Sequence, residues 1–335
     1  MRVLLTSDPM LPVPPRLYGG IERVIADLAG WLREQGVQVG LVAHRDSTQP
    51  VGAFFAWPGE PASHASHAWA LRQACREFRP DLVHSFSRLA YLLPVVLGGA
   101  RAIMSYQRHP TRWTVRAASL LGGRRLRFTG CSDYLTHLGE RAGGRWSTVH
   151  NFVDLRRYPF APRVAPDAPL LFLSRLDRVK APHLAIEIAR AAGRRLIVAG
   201  NAATAGPEEA YFREQVEPHF GRDGIEYVGP VDDTAKARLL GSASALLVPV
   251  QWDEPFGIVF AEALACGTPV IATARGALPE IIEHGRHGFL VGRIDDGVRA
   301  IGELATIDRG ECRQRAERAF SLEVVAPRYL ELYRA

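Results

Sequence analysis

The sequence predicts an α/β protein built from two Rossmann-like domains, and three observations carry that prediction. Short apolar runs alternate with segments of helical apolar spacing along the whole chain. The first unit reads strand, glycine loop, helix, strand, which is the opening of a doubly wound sheet. A proline-rich, non-periodic run, Tyr158 to Pro169, separates two such series. Each series implies a mostly parallel sheet with helices on both faces.

In the first half, Arg2 to Thr6 is a short apolar strand and Ser7 to Gly20 a proline-rich loop. A helix runs from Ile21 to about Gln35, because Ile21, Val24, Ile25, Leu28, Trp31 and Leu32 keep helical spacing and Gly36 stops it. Val37 to Ala43 is the next strand. A helix over Ala65 to Phe78 and strands at 81–85, 102–106, 126–131 and 147–150 come next, with a helix near Thr111 to Leu121. The loop lacks G-x-G-x-x-G, so a dinucleotide cofactor is not indicated. Gly19 and Gly20 instead bring backbone amides to a helix start, a possible phosphate contact.

The second series starts with a strand from Leu170 to Ser174 that ends in Arg175, with Lys180 in the next loop. Then come a helix over His183 to Ala192, a strand over Arg195 to Ala199 ending in Gly200, and a helix over Glu208 to Phe220. Tyr227-Val228-Gly229 closes a strand. Asp233 to Ser242 is a helix capped by Asp232 or Asp233. Ala245 to Pro249 is the strand before the central motif. Val298 to Leu304 and Arg309 to Phe320 read as outer helices, and Glu323 to Tyr333 as a last amphipathic helix. The expected domains are residues 1–160 and residues 161–322.

Composition bounds the class. At 335 residues the chain has room for two domains of ordinary size. No apolar run approaches the ~20 residues of a membrane span, and residues 1–7 read as a strand rather than a signal peptide. The expectation is a cytoplasmic protein, peripheral to the inner membrane surface if bound there at all. The four cysteines are scattered without C-x-x-C spacing, so neither a metal site nor a disulfide frame is expected. The formal net charge of +6 is uneven: from Leu82 to Ser132 there are eight arginines and no Asp or Glu. Such a patch suits an anionic acceptor, a membrane surface, or simply a solvated basic face. Nucleic acid is not expected, because no nucleic-acid-binding signature accompanies it.

The stretch Trp252 to Ile271 organises the second half. Glu254 and Glu262 stand eight residues apart across the turn Pro255-Phe256-Gly257 and the start of a helix. Nothing breaks a helix between Ile258 and Ala265, and Gly267 with Pro269 stops it. The amides of Gly257, Ile258 and Val259 then face outward at a positive dipole end, with a carboxylate on either side. A phosphate ester with hydroxyl-rich groups at both ends, such as a nucleotide sugar, has the matching shape.

The string EPFGIVFAEALACGTPVIAT closely resembles the E-x7-E signature of the retaining glycosyltransferases of family 4, which have the GT-B fold: two Rossmann-like α/β domains with parallel sheets facing each other across a cleft. The resemblance extends along the chain. Ser174-Arg175-Leu176-Asp177-Arg178-Val179-Lys180 resembles the element whose Arg and Lys hold the donor diphosphate. Tyr18-Gly19-Gly20-Ile21-Glu22 resembles the glycine loop that faces it. The segment Thr273 to Val291 resembles the one that comes after the signature in that family. The resemblance implies that Glu254 contacts the transferred sugar, that Glu262 holds the ribose, that Tyr227-Val228-Gly229-Pro230 borders the base, and that the last helix, over 323–335, crosses back to join the domain of residues 1–160. It places Gly19, Gly20, Gln107, Arg175, Lys180, Gly200, Val228, Phe256, Gly257, Ile258 and Val259 among the nucleotide-sugar contacts. One departure stands out. Where the family carries a histidine after the strand over Ala102 to Tyr106, this chain has Gln107, with His109 two residues on. Glutamine bonds a hydroxyl but takes no proton, so His109 joins Glu254 as a catalytic candidate, and which of Gln107 and His109 replaces the family residue stays open. His84 is a third histidine nearby in sequence, read as a satisfied core residue.

The expected activity is a hexosyltransferase that moves a sugar from a nucleoside-diphosphate sugar, UDP being the commonest donor nucleotide in the family, to an acceptor hydroxyl. The acceptor is unspecified, with an anionic or membrane-associated one suited to the basic segment. No cofactor is expected, and the chain has no Asp-x-Asp, so no metal is expected either. The rival readings are a sugar phosphorylase or nucleotide-sugar epimerase on the same architecture, and a nucleotide-sugar-binding protein without catalysis.

Overall fold

Parallel strands buried on both faces read as near-continuous apolar runs, and the strands of this chain have that character. The structure, a computed structural model, describes residues 1–17, 19–59 and 61–335. The chain divides into two units: Met1–Asn151 with Leu322–Ala335, and Phe152–Ser321. The division falls ahead of the expected boundary at 160, so residues 152–160 belong with the second unit. Val153 N–H donates to Phe320 O (2.8 Å), and Ala161 N–H, within the proline-rich run, donates to Cys266 O (3.0 Å), so that run is tied down rather than a free tether.

The first unit carries β1 (Arg2–Thr6), β2 (Gln38–Ala43), β3 (Ala53–Ala56), β4 (Leu82–Ser85), β5 (Ala102–Tyr106), β6 (Leu126–Gly130) and β7 (Trp146–Thr148). The second carries β8 (Leu170–Leu173), β9 (Leu196–Ala199), β10 (Ile225–Gly229), β11 (Ala245–Val248), β12 (Val270–Thr273) and β13 (Gly288–Val291). The spatial orders are β3-β2-β1-β4-β5-β6-β7 and β10-β9-β8-β11-β12-β13. The pairings are parallel, with Leu4 opposite Gly40 and Val83, and Leu171 opposite Ile197 and Leu246. Both sheets start at an inner strand, wind to one edge, return, and wind to the other. Two Rossmann-like domains of the expected α/β class result.

Local chemistry explains where elements differ from expectation. The helix over Glu208 to Phe220 is two pieces, Gly206–Gln215 and a 3-10 turn Glu217–His219. Pro218 lacks the N–H that a continuing helix needs. The helix Leu89–Leu97 carries no amphipathic signal because it is apolar throughout, with Pro94 inside it. Strand β3 and the helix Asp133–Glu140 are short enough to escape a periodicity reading. The helix read from Val298 begins at Ile294, where Asp296 accepts from the Arg293 backbone N–H (3.0 Å).

The last helix, Leu322–Arg334, packs in the first unit. Its Tyr333 hydroxyl is 2.6 Å from His84 Nδ1, and His84 Nε2 is 2.6 Å from Ser105 Oγ, which lies 2.5 Å from Thr129 Oγ1. His84 is completely buried and both its ring nitrogens are engaged. It is a core residue, and burial pulls its pKa down to about 3.

Candidate active site

In an open parallel sheet the strand order reverses at one point, and the loops from the two strands there open a crevice at their carboxyl ends. In the second unit that point lies between β8 and β11. The loop after β8 carries Arg175 and Lys180; the loop after β11 carries Trp252 to Gly257. Gln251 N–H donates to Val179 O (2.8 Å) and ties one loop to the other. Lys180 Nζ donates to Glu254 Oε2 at 2.5 Å, and Trp252 Nε1 donates to the same oxygen at 2.7 Å. The ammonium also lies 5.1 Å from the Trp252 ring centroid. Glu254 is 5 % exposed, so both charges of this pair are largely removed from water. Arg175 is more open and pairs with Asp177 (Nη2 to Oδ2, 2.8 Å). Asp177 Oδ1 accepts from Lys180 N (3.2 Å), and burial raises the Asp177 pKa against the pull of Arg175.

The helix Ile258–Ala265 starts beside this pair. Its N-cap is Gly257 at φ 81°, a left-handed conformation that a side chain would strain. A Cβ there would also sit 2.5 Å from the Phe260 ring. The first-turn amides of a helix have no intrahelical acceptor, so Gly257 sets a positive end next to a buried carboxylate. Gly276, at φ 59°, presses on the other side: a Cβ there would lie 2.3 Å from Glu254 O. The Ala277 N–H donates to that carbonyl (2.8 Å). Phe256 does not face this opening. Its side chain is buried and meets Phe320 edge-on at 5.5 Å, so its backbone is what it can offer a ligand.

Glu262 sits on the same helix and is also 5 % exposed. Its Oε1 accepts from Tyr158 Oη (2.5 Å) and from Lys236 Nζ (2.5 Å). Lys236 lies 3.4 Å from Asp233 and 5.5 Å from the Tyr158 ring centroid. Sequence reasoning missed both partners. Tyr158 lies in the proline-rich run between the two series, and Lys236 on a helix noted from sequence only for its cap; no local signal joins either to Glu262. Gly200 N–H donates to Gly229 O (2.9 Å) and Gly200 O accepts from Tyr227 Oη (3.0 Å). Val228 stands beside them, 39 % exposed. The structure thus joins Lys180 to Glu254 directly and Arg175 to Lys180 through Asp177. The bonds of Glu262 run to a separate pair of donors.

The other predicted residues lie in the first unit, whose strand order reverses between β1 and β4. Gly19 is the N-cap and Gly20 the first residue of the helix Gly20–Glu34; Tyr18, quoted with them, lies outside the described residues. Asp8, just past β1, pairs with Arg108 (3.2 Å) and Arg88 (3.8 Å), residues that come after β5 and β4. Neither Asp8 nor these partners was singled out for such a role from sequence. Gln107 Oε1 accepts from Asn151 Nδ2 at 2.7 Å. Asp8 Oδ1, Gln107 Nε2 and Asn151 Oδ1 are buried without a hydrogen-bond partner. Such groups cost on the order of 1–3 kcal/mol each unless something pairs with them. A cavity of about 600 Å³ opens here, lined by Arg88, Tyr106, Gln107, Arg108, His109 and Thr111 among others. His109 is exposed, its Nε2 3.4 Å from Tyr134 Oη.

The comparisons with known proteins agree with this architecture. Residues 161–319 match the family model of "Glycosyl transferases group 1", and residues 18–157 that of "Glycosyltransferase Family 4". A glycogen synthase of Mycobacterium tuberculosis (strain CDC 1551 / Oshkosh) is 29 % identical over 278 residues, 73 % of this chain and 64 % of that protein. The chain therefore spans just under two thirds of that relative's length. The crystal structure of AviGT4, a glycosyltransferase involved in avilamycin A biosynthesis, is 28 % identical with a TM-score of 0.74, covering 99 % of this chain and 97 % of its own. HepE of Anabaena, crystallised with UDP and glucose, is 21 % identical with a TM-score of 0.78, covering 99 % of each chain. Two all-parallel Rossmann-like units, each matched by a glycosyltransferase family model, give this chain the fold and the family resemblance of the GT-B glycosyltransferases.

Proposed function

We propose that the protein transfers a hexosyl group from a nucleoside-diphosphate sugar to an acceptor hydroxyl, with retention of configuration, as a family 4 enzyme of the E-x7-E type. One observation carries the reading. The Lys180–Glu254 pair and the N-terminus of the helix Ile258–Ala265 meet at the switch point of the second sheet, where such sheets bind ligands. Negative charge develops on the departing diphosphate, so fixed positive groups are the first requirement. Lys180, Arg175 and the helix-start amides supply them in this proposal. Glu254 would then face the sugar and stabilise positive character at its anomeric carbon. Glu262, already shaped as an acceptor by Tyr158 and Lys236, would take the ribose hydroxyls. In the first unit the unpaired Nε2 of Gln107 suits a sugar hydroxyl, and His109 is the proton-carrying candidate.

UDP is the proposed nucleotide; HepE, which shares the fold, was crystallised with it. With no Asp-x-Asp in the sequence, we propose chemistry without a metal or other cofactor. No helix among the described residues is long and apolar enough to cross a membrane; a cytoplasmic protein, peripheral at the membrane, with an anionic or membrane-associated acceptor, is the reading adopted. A thermal-shift screen against UDP, GDP, ADP and TDP sugars tests the donor. A ligand at 100 times its Kd stabilises by about 2.7 kcal/mol, so one nucleotide class should stand out. Absence of any shift would count against the proposal. Product analysis with and without inorganic phosphate separates transfer from phosphorolysis.

A further inference from the structure

A helix that buries one face normally presents polar residues on the other. The helix Arg112–Gly122 of the first unit does not. It buries Val115, Ala118 and Gly122 against the domain. The opposite face, at positions i, i+4, i+7 and i+8, is Trp113, Ala117, Leu120 and Leu121, all exposed. Trp113 is 77 % and Leu120 79 % exposed. Leu97, at the end of a neighbouring helix, adds a further 57 % exposed leucine. An apolar face of this kind, held outward by a well-packed opposite face, is costly in water and calls for an occupant.

The charge around it says which. Arg112 and Arg116 flank the apolar face on the same helix, and Arg124 and Arg125 come just after it, all exposed. A depression of about 970 Å³ beside the helix is lined by Arg116, Arg124, Arg141 and Arg145 with Trp113, and by one carboxylate, Glu140. An indole and two leucines ringed by arginines suit the interface of an anionic bilayer, where tryptophan settles at headgroup level and guanidinium groups meet phosphates. A second copy of the chain fits poorly, since a two-fold contact through this patch would set arginine against arginine. The geometry points to the outer face of the helix Arg112–Gly122, with its arginine rim, as the surface by which this protein docks on an anionic membrane.

The test is flotation of the full chain with vesicles of phosphatidylcholine, with and without phosphatidylglycerol. Binding should require the anionic lipid and fall steeply between ~0.05 and ~0.5 M salt, as the Debye length shortens. Arg112→Gln and Arg116→Gln should each weaken it roughly fivefold. Trp113→Ala with Leu120→Ser should weaken it by roughly tenfold or more without changing the salt dependence. All four side chains are exposed, so circular dichroism and melting temperature should stay near wild type. Binding that is equal on both vesicle types, or that survives the Trp113/Leu120 change, overturns the inference. A vesicle-free dimer in analytical ultracentrifugation that these same substitutions dissolve overturns it too, by assigning the face to a second copy.

Discussion

At the scale of single residues, the site is two buried carboxylates with different partners. Glu254 shares one oxygen between Lys180 and Trp252; Glu262 shares one between Lys236 and Tyr158. Removing one partner of a buried ion pair leaves the other charge uncompensated, at about 3–5 kcal/mol. Lys180→Ala should therefore lower the melting temperature as well as donor affinity. Arg175→Ala, at a side chain that is 44 % exposed, should lower affinity with little effect on melting. Calorimetric titration of the donor beside a melting curve for each variant separates the two effects; equal behaviour of both would remove the distinction. Glu262→Gln keeps the shape but weakens two charge-assisted bonds, each worth about 1.5–3 kcal/mol. It should raise the donor KM and leave kcat nearly intact, since a ribose contact is the same in ground and transition states. Glu262 is held off solvent because the hydroxyl of Tyr158 and the ammonium of Lys236, on a neighbouring helix, both bond its carboxylate. A fall in kcat with unchanged KM would place Glu262 at the chemistry instead.

At the scale of elements, strand and helix boundaries in the second unit were largely legible because each strand is a short apolar run closed by a glycine, proline or charge. The helix Ile258–Ala265 starts and ends where Gly257 and Gly267 said it would. What stayed illegible was pairing at a distance. Nothing local to Asp8 points to Arg88 or Arg108, and nothing local to His84 points to Tyr333. The His84 contact nevertheless fixes how the last helix docks. With its pKa pulled down to about 3 in the folded state, against an ordinary value near 6.5, His84 is neutral when buried and charges on unfolding. The unfolded chain then binds the extra proton between those values. Stability from this group is complete above pH ~6.5 and is lost on acidification, by up to about 1.4 kcal/mol per pH unit, until pH ~3. His84→Gln should flatten that part of the stability–pH curve measured by urea unfolding. An unchanged slope would show that His84 does not carry it.

At the scale of the whole molecule, the same winding occurs twice. Each sheet reverses its strand order once, and charged pairs gather at those reversals: Asp8 and Arg88, which the sequence did not single out, after β1 and β4, and the predicted Lys180 and Glu254 after β8 and β11. The alternation of strands and helices made the fold class readable from sequence, since it constrains topology strongly. The boundary at Asn151 was less so, because the linker-like run from Tyr158 to Pro169 drew the eye, whereas the second unit already starts at Phe152, where Val153 N–H bonds Phe320 O. The central claim is that the Lys180–Glu254 pair serves departure of a nucleoside diphosphate from a sugar. It is tested most directly by measuring nucleoside-diphosphate release from UDP, GDP, ADP and TDP sugars with wild-type protein and Glu254→Gln, beside donor Kd for both. The account predicts release from at least one donor, with kcat lowered by at least about tenfold in Glu254→Gln while the donor still binds. Donor binding with no release from any sugar, or a folded Glu254→Gln with wild-type kcat, would contradict it.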